Sequence, residues 1–94
     1  MIALTAKFDI VAGKEADFEA AMGALAEQVR AKEPGCELYT LCKDSDGNYL
    51  MMELYKDEES LAAHGSTDHM KAAGASFAGV MAGRPEIQRI EVVA

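Results

Sequence analysis

Tryptophan is absent from this sequence, and proline, cysteine and histidine occur only twice each in 94 residues. Basic side chains are scarce too, nine against sixteen acidic ones, for a formal charge of −7. Each shortage excludes something. A surface that tracks nucleic-acid phosphates displaces counterions with clustered Lys and Arg, which this chain does not supply. An anionic membrane surface is excluded on the same ground. No apolar run approaches the roughly 18 residues that a spanning helix needs. Residues 1–7 lack the basic lead and apolar core of an export signal, so the expected location is the cytoplasm. Cys36 and Cys42, if both lie in one extended strand, stand roughly 20 Å apart, beyond disulfide reach, and are expected to be buried, reduced thiols. Two histidines split by a glycine, with no acidic residue at helical spacing beside them, do not make a metal face. Residues 74–79 lack the Lys and Ser/Thr of a phosphate-binding loop. Neither a metal nor a cofactor is expected.

What the chain does contain reads as one domain over residues 1–94. A domain of this size buries only about 60–65% of its unfolded surface, so association would help to stabilise it. Apolar and polar residues alternate over residues 2–10, as in a half-buried strand. After Gly13 the apolar positions Phe18, Met22, Leu25 and Val29 follow helical spacing, and Pro34-Gly35 ends that helix. Residues 36–43 and 49–55 flank Asp44-Ser45-Asp46-Gly47-Asn48 and predict a hairpin. Asp57 suits the cap of a short helix ending near His64-Gly65. A third helix is expected from Ser66 or Thr67, with Met70, Ala73, Phe77 and Val80/Met81 as its apolar stripe, up to Gly83-Arg84-Pro85. Residues 87–93 supply a last strand.

This order predicts an α+β fold: a ferredoxin-like split βαβ plait, with a four-stranded antiparallel sheet and helices on one face. Both parities of the hairpin are apolar: Leu38, Leu50, Met52 and Leu54 on one, and Tyr39, Leu41, Tyr49, Met51 and Tyr55 on the other. A sheet apolar on both faces needs a second cover, and another copy of itself supplies one, so a homodimer with sheets face to face is expected.

The polar residues worth weighing gather around residues 53–70. His64 stands in the last turn of a short helix, where the C-terminus favours a cation, and imidazole as a side chain suits proton transfer at neutral pH. Satisfying stray carbonyls is its alternative role. His69, in the first turn of the next helix, is better placed as a neutral ring that holds substrate or fixes the junction. Glu53 interrupts an apolar strand and must find a partner: His64, which it could orient, or Lys43, Arg84 or Arg89 as an ion pair. Tyr55 shares its face and could hold a substrate oxygen. Met70, Phe77 and Met81 would line a cavity or form plain core.

Pro34-Gly35-Cys36, Glu53-Leu54-Tyr55 and Leu61-Ala62-Ala63-His64 followed by Thr67-Asp68-His69-Met70-Lys71 together resemble the antibiotic biosynthesis monooxygenase (ABM) domain family, over nearly the whole chain. The resemblance implies a dimeric α+β barrel with a ligand cavity between sheet and helices. Members of that family include cofactor-free monooxygenases of quinols or polycyclic phenols, haem-degrading enzymes and an isomerase of a phosphorylated sugar. The haem-degrading members carry a first-strand Asn and a Trp where this chain has His64, and both are missing here. The implied activity is oxidation of a quinol or polycyclic phenol by O2. In that scheme His64 is the base, Glu53 its partner or a second acid/base group, Tyr55 and His69 the orienting groups, and Met70, Phe77 and Met81 the substrate lining. Isomerisation of a small phosphorylated metabolite, with Lys7, Lys71, Arg84 and Arg89 as scattered phosphate candidates, and non-catalytic binding of a small molecule by a dimer remain open beside it.

Overall fold

In the computed structural model, which describes residues 1–94, the elements run β1 (Ile2–Phe8), α1 (Glu15–Lys32), β2 (Cys36–Lys43), β3 (Tyr49–Tyr55), α2 (Glu58–Gly65), α3 (Asp68–Ser76) and β4 (Glu86–Glu91). The strands form one antiparallel sheet in the order β2-β3-β1-β4. The expected α+β plait is therefore the observed fold.

The period-two alternation of β1 and β3 sorts their side chains cleanly. Ile2, Ala6, Tyr49, Met51 and Tyr55 are buried beneath the helices. Leu50, Met52 and Leu54 face the side that no helix covers, where Leu38 and Met52 are exposed. From the other layer, α1 contributes Phe18, Met22, Leu25, Ala26 and Val29. Phe18 and Val29 have no exposure at all, and full burial of such side chains is worth about 1.5–3 kcal/mol each. Phe18 sits at the hub of an aromatic group with Phe8, Tyr49 and Phe77, at centroid separations of 5.1, 5.0 and 5.8 Å.

Four sequence expectations need correction. The first strand stops at Phe8, leaving Ile10 only an isolated bridge to Met81. The third helix ends at Ser76, because Phe77 caps it and Gly79, at φ 76°, turns the chain back. That turn lets Val80 accept from the Val11 N–H at 2.8 Å. The last strand spans Glu86–Glu91 rather than 87–93. Cys36 and Cys42 are free thiols, but both are half-buried rather than buried. Cys42 lies on the uncovered side, opposite Leu50.

Coverage of the sheet is uneven. The first helix lies over β2, α2 over β3, and α3 packs chiefly on α1, so β4 finds its main partner in β1. Every residue of β4 is exposed. No helix of the structure is long and apolar enough to cross a membrane.

Candidate functional site

The junction of α2 and α3 is built by two capping residues. Asp57 accepts from the Ser60 N–H at 2.8 Å and starts α2, whose first turn carries Glu58 and Glu59 at the positive end of the dipole. Thr67 accepts from the Met70 N–H at 3.3 Å and starts α3, while its hydroxyl donates to the His64 carbonyl at 2.9 Å. One threonine thus ties the end of the first short helix to the start of the second. The tie places His64 and His69 on the same neighbour.

That neighbour is Glu33. It follows α1, where its backbone N–H still donates to the Val29 carbonyl, and Pro34-Gly35 then carries the chain into β2. Its side chain is buried under the α2–α3 junction, with the residue only 8% exposed. His64 Nδ1 lies 2.8 and 3.0 Å from the two carboxylate oxygens, and His69 Nε2 lies 2.5 Å from Oε2. An ionised carboxylate can only accept, so both imidazoles donate these hydrogen bonds, and His64 keeps Nε2 as its free ring nitrogen. No buried side-chain nitrogen or oxygen lacks a partner, so His64 Nε2, which has none in the protein, reaches solvent-accessible space.

His64 is held from its other sides by aromatic rings, with Tyr39 and Tyr55 centroids each 5.3 Å away. Tyr55 donates its hydroxyl to Glu53 Oε1 at 2.6 Å. Burial pushes the Glu53 carboxyl above the ordinary carboxylate range, while the Tyr55 hydroxyl and the nearby His64 pull it back. Burial raises the Tyr55 hydroxyl strongly, and its bond to Glu53 adds to the shift. Cys36, desolvated and beside Glu33, is pushed up to about 11, so its thiol is a poor nucleophile at neutral pH.

Two hydrogen-bonded sets, Glu53 with Tyr55 and His64 with Glu33 and His69, thus meet where the Tyr55 and His64 rings pack. Glu53 takes Tyr55 as its partner and none of the three expected cations: Lys43 engages Glu19, Arg89 engages Glu58, and Arg84 makes no ion pair. The group that orients His64 is Glu33. Met70 and Phe77 are half-buried against the core. Phe77, on Phe18, and Met81, bridged to Ile10, sit at the Phe8 end of the strands, roughly 20 Å along β3 from Tyr55. The structure does not bring those two to His64.

Two surface hollows reach Glu33 and His69, and neither is lined by His64, Glu53 or Tyr55. One of about 300 Å³ lies between the Pro34-Gly35 turn and α2, reaching Glu33 and Thr67. Another of about 410 Å³ lies between α1 and α3 and reaches His69.

The family model for antibiotic biosynthesis monooxygenases matches residues 1–76 of the chain. Among solved structures, a candidate antibiotic biosynthesis monooxygenase from Caulobacter crescentus CB15 is 39% identical over 99% of this chain and 90% of its own, with a TM-score of 0.92. A candidate antibiotic biosynthesis monooxygenase from Nitrosomonas europaea, 23% identical and covered in full on both sides, superposes with a TM-score of 0.90. The Mycobacterium tuberculosis protein Rv0793, 20% identical over 99% of this chain and 95% of its own, gives 0.89. These last two speak for the fold alone. None of the curated proteins compared matches this chain. With a family match over most of its residues and the same plait throughout, the chain belongs to the antibiotic biosynthesis monooxygenase family.

Proposed function

We propose that this protein is a cofactor-independent monooxygenase of a quinol or polycyclic phenol, working as a homodimer. The observation that carries the reading is the His64–Glu33 hydrogen bond in a member of this family, with Glu53 and Tyr55 beside it. The similar chain from Caulobacter crescentus is itself a monooxygenase candidate, which supports the same reaction class.

Glu33 fixes the His64 ring and leaves Nε2 free to take the proton of a substrate hydroxyl, the arrangement by which a carboxylate orients a general base. The phenolate then reduces O2 itself, so the protein supplies a base, polar contacts and a space that excludes bulk water. For a phenol oxidised at the ring C–H opposite its hydroxyl, phenol plus O2 gives quinone plus water. One oxygen atom ends on the ring carbon, and the other leaves with the two hydrogens lost. His64 returns its proton to the departing oxygen. Half-buried Glu53 holds a substrate hydroxyl, fully buried Tyr55 fixes the Glu53 carboxylate from behind, and His69 keeps Glu33 in place. Met70 lies one residue beyond His69 and is the nearest of the apolar lining candidates. A reducing compartment such as the cytoplasm keeps Cys36 and Cys42 as thiols.

The test is oxygen uptake with a panel of quinols and naphthols. A general base contributes 10²–10⁴-fold, so His64→Ala, and His64→Gln, which keeps much of the ring's volume, should each cut uptake by about that factor while the protein stays folded. An undiminished rate in a folded variant removes His64 from the chemistry. Ligand-dependent stabilisation without uptake would leave only a binding domain.

A further inference from the structure

Across the helix-facing side of the sheet, Tyr39, Glu53, Leu4 and Arg89 stand side by side on β2, β3, β1 and β4. Exposure rises along this row: Tyr39 is buried, Glu53 and Leu4 are half-buried, and Arg89 is exposed. On the central strands the rows to either side are closed, Tyr55 with Ile2 and Met51 with Ala6 all being buried. Half-buried Glu53 and Leu4 thus leave this row open toward β4, where Arg89 stands at the exposed edge. Opposite it across the opening is α2. Both Nη atoms of Arg89 engage the Glu58 carboxylate there, Nη1 to Oε2 at 3.3 Å and Nη2 to Oε1.

This pair is suited to exchange. Its side chains are 54% and 68% exposed, so it contributes little to stability. The guanidinium presents a planar fork that matches a carboxylate with two parallel bonds, and Glu58 already occupies that fork. Arg89 is the only cation in its row, and its surroundings on this face are acidic: Glu53, Glu58 and, at the end of β4, Glu91. In a chain of net charge −7 an anion gains entry here only where a specific cation offsets the repulsion.

Resting on the reading of this face as the substrate site, we propose that Arg89 is a specificity-determining residue that binds a carboxylate of the aromatic substrate, with Glu58 holding the fork when the site is empty. The substrate class then narrows to hydroxyaryl carboxylates. Arg89 and Glu53 stand two strands apart, roughly 10 Å between backbones, and an arginine side chain is long enough to close part of that distance. An acid of one or two fused rings spans the remaining gap, with its carboxylate at the rim and its hydroxyl at the Glu53 and His64 end.

Gentisate, a hydroquinone carboxylate, and its neutral methyl ester are titrated calorimetrically into the protein without oxygen. The wild type should prefer gentisate. Arg89→Gln should weaken gentisate roughly tenfold and leave the ester unchanged, the size expected for a charge-assisted bond at a half-exposed site. Glu58→Gln, which removes the competing carboxylate, should tighten gentisate about threefold and leave the ester unchanged. Equal affinity for the two ligands, no saturable binding of gentisate at millimolar concentration, or an equal loss for both in Arg89→Gln overturns the proposal. A Glu58→Gln protein that binds as the wild type does removes Glu58 as the competitor. No turnover occurs in this experiment, so oxygen uptake with the same ligands judges the monooxygenase reading separately.

Discussion

Glu33 meets Nδ1 of His64 with both carboxylate oxygens and Nε2 of His69 with Oε2, so a single side chain sets the orientation of both imidazoles. Replacing it by glutamine sets an NH2 donor where a carboxylate oxygen accepted, facing a ring N–H, so a ring must give way or change tautomer. Glu33→Gln should lower kcat about 10²-fold with KM nearly unchanged. That lies between the 10–100-fold loss of an outer carboxylate behind a metal-bound histidine and the roughly 10⁴-fold loss of a triad aspartate. The nitrogen chemical shifts of His64 should report a mixture of tautomers in the variant where the parent shows one. An unchanged kcat, or a fall in kcat with unchanged shifts, would reduce Glu33 to a packing role. The residue was not legible beforehand, and the reason is physical. A glutamate between Lys32 and Pro34 at a helix end looks like a solvated charge, and only the return of α2 and α3 over that end buries it. The partner of Glu53 was misread for a related reason. Pairing by charge favours Lys43 or Arg89, whereas shared strand parity puts the Tyr55 hydroxyl 2.6 Å away.

Elements with a strong period were legible, and those whose limits depend on a distant contact were not. The five buried apolar positions of α1 and the alternation of β1 and β3 carry their own signal. The end of α3 does not, because the chain turns at Gly79 to satisfy Val11, a partner far back in the chain beyond β1. The placement of α2 is another such case. It depends on Gly35, whose carbonyl accepts from the Lys56 N–H at 2.8 Å and whose missing side chain makes room for Ser60. A Cβ there would come within 2.1 Å of the Ser60 Oγ and 2.5 Å of its Cβ. Gly35→Ala must therefore push α2, and His64 with it, away from the turn. The expected cost is about 1–3 kcal/mol in urea unfolding, as for other overpacked sites, together with weakened oxygen uptake. Adding Ser60→Gly removes both clashing atoms. It should recover most of the loss, less the contribution of the cap contact that Ser60 makes with Asp57. If the double variant is no better than the single one, the close approach of turn and helix is not what positions α2.

The molecule has two apolar sheet faces and helices enough for one. On the uncovered side Leu38, Leu54, Ala3 and Ile90 form one row, with Thr40, Met52, Thr5 and Gln88 next to it. Leu38, Met52 and Ile90 are each about 40% exposed in a single chain. The third row, Cys42, Leu50, Lys7 and Glu86, ends in charges, so the greasy part lies toward the Ile90 end of the face. A second copy turned by a two-fold axis sets this patch against its own image, the self-complementary arrangement that a closed dimer requires. The sequence already pointed to such a dimer, because both parities of the hairpin are apolar, whereas the charged row became visible only once register aligned Lys7 with Glu86. Met52 lies within the patch on a central strand. Met52→Asp would place a carboxylate, and its symmetry mate, inside the interface without touching the core beneath the helices. Sedimentation should show a dimer for the parent and a monomer for this variant. The parent's melting temperature should rise with protein concentration, while that of the variant stays flat. A variant that still sediments as a dimer, or a parent that is monomeric at every concentration, would place the second cover of the sheet somewhere other than on another copy of this chain.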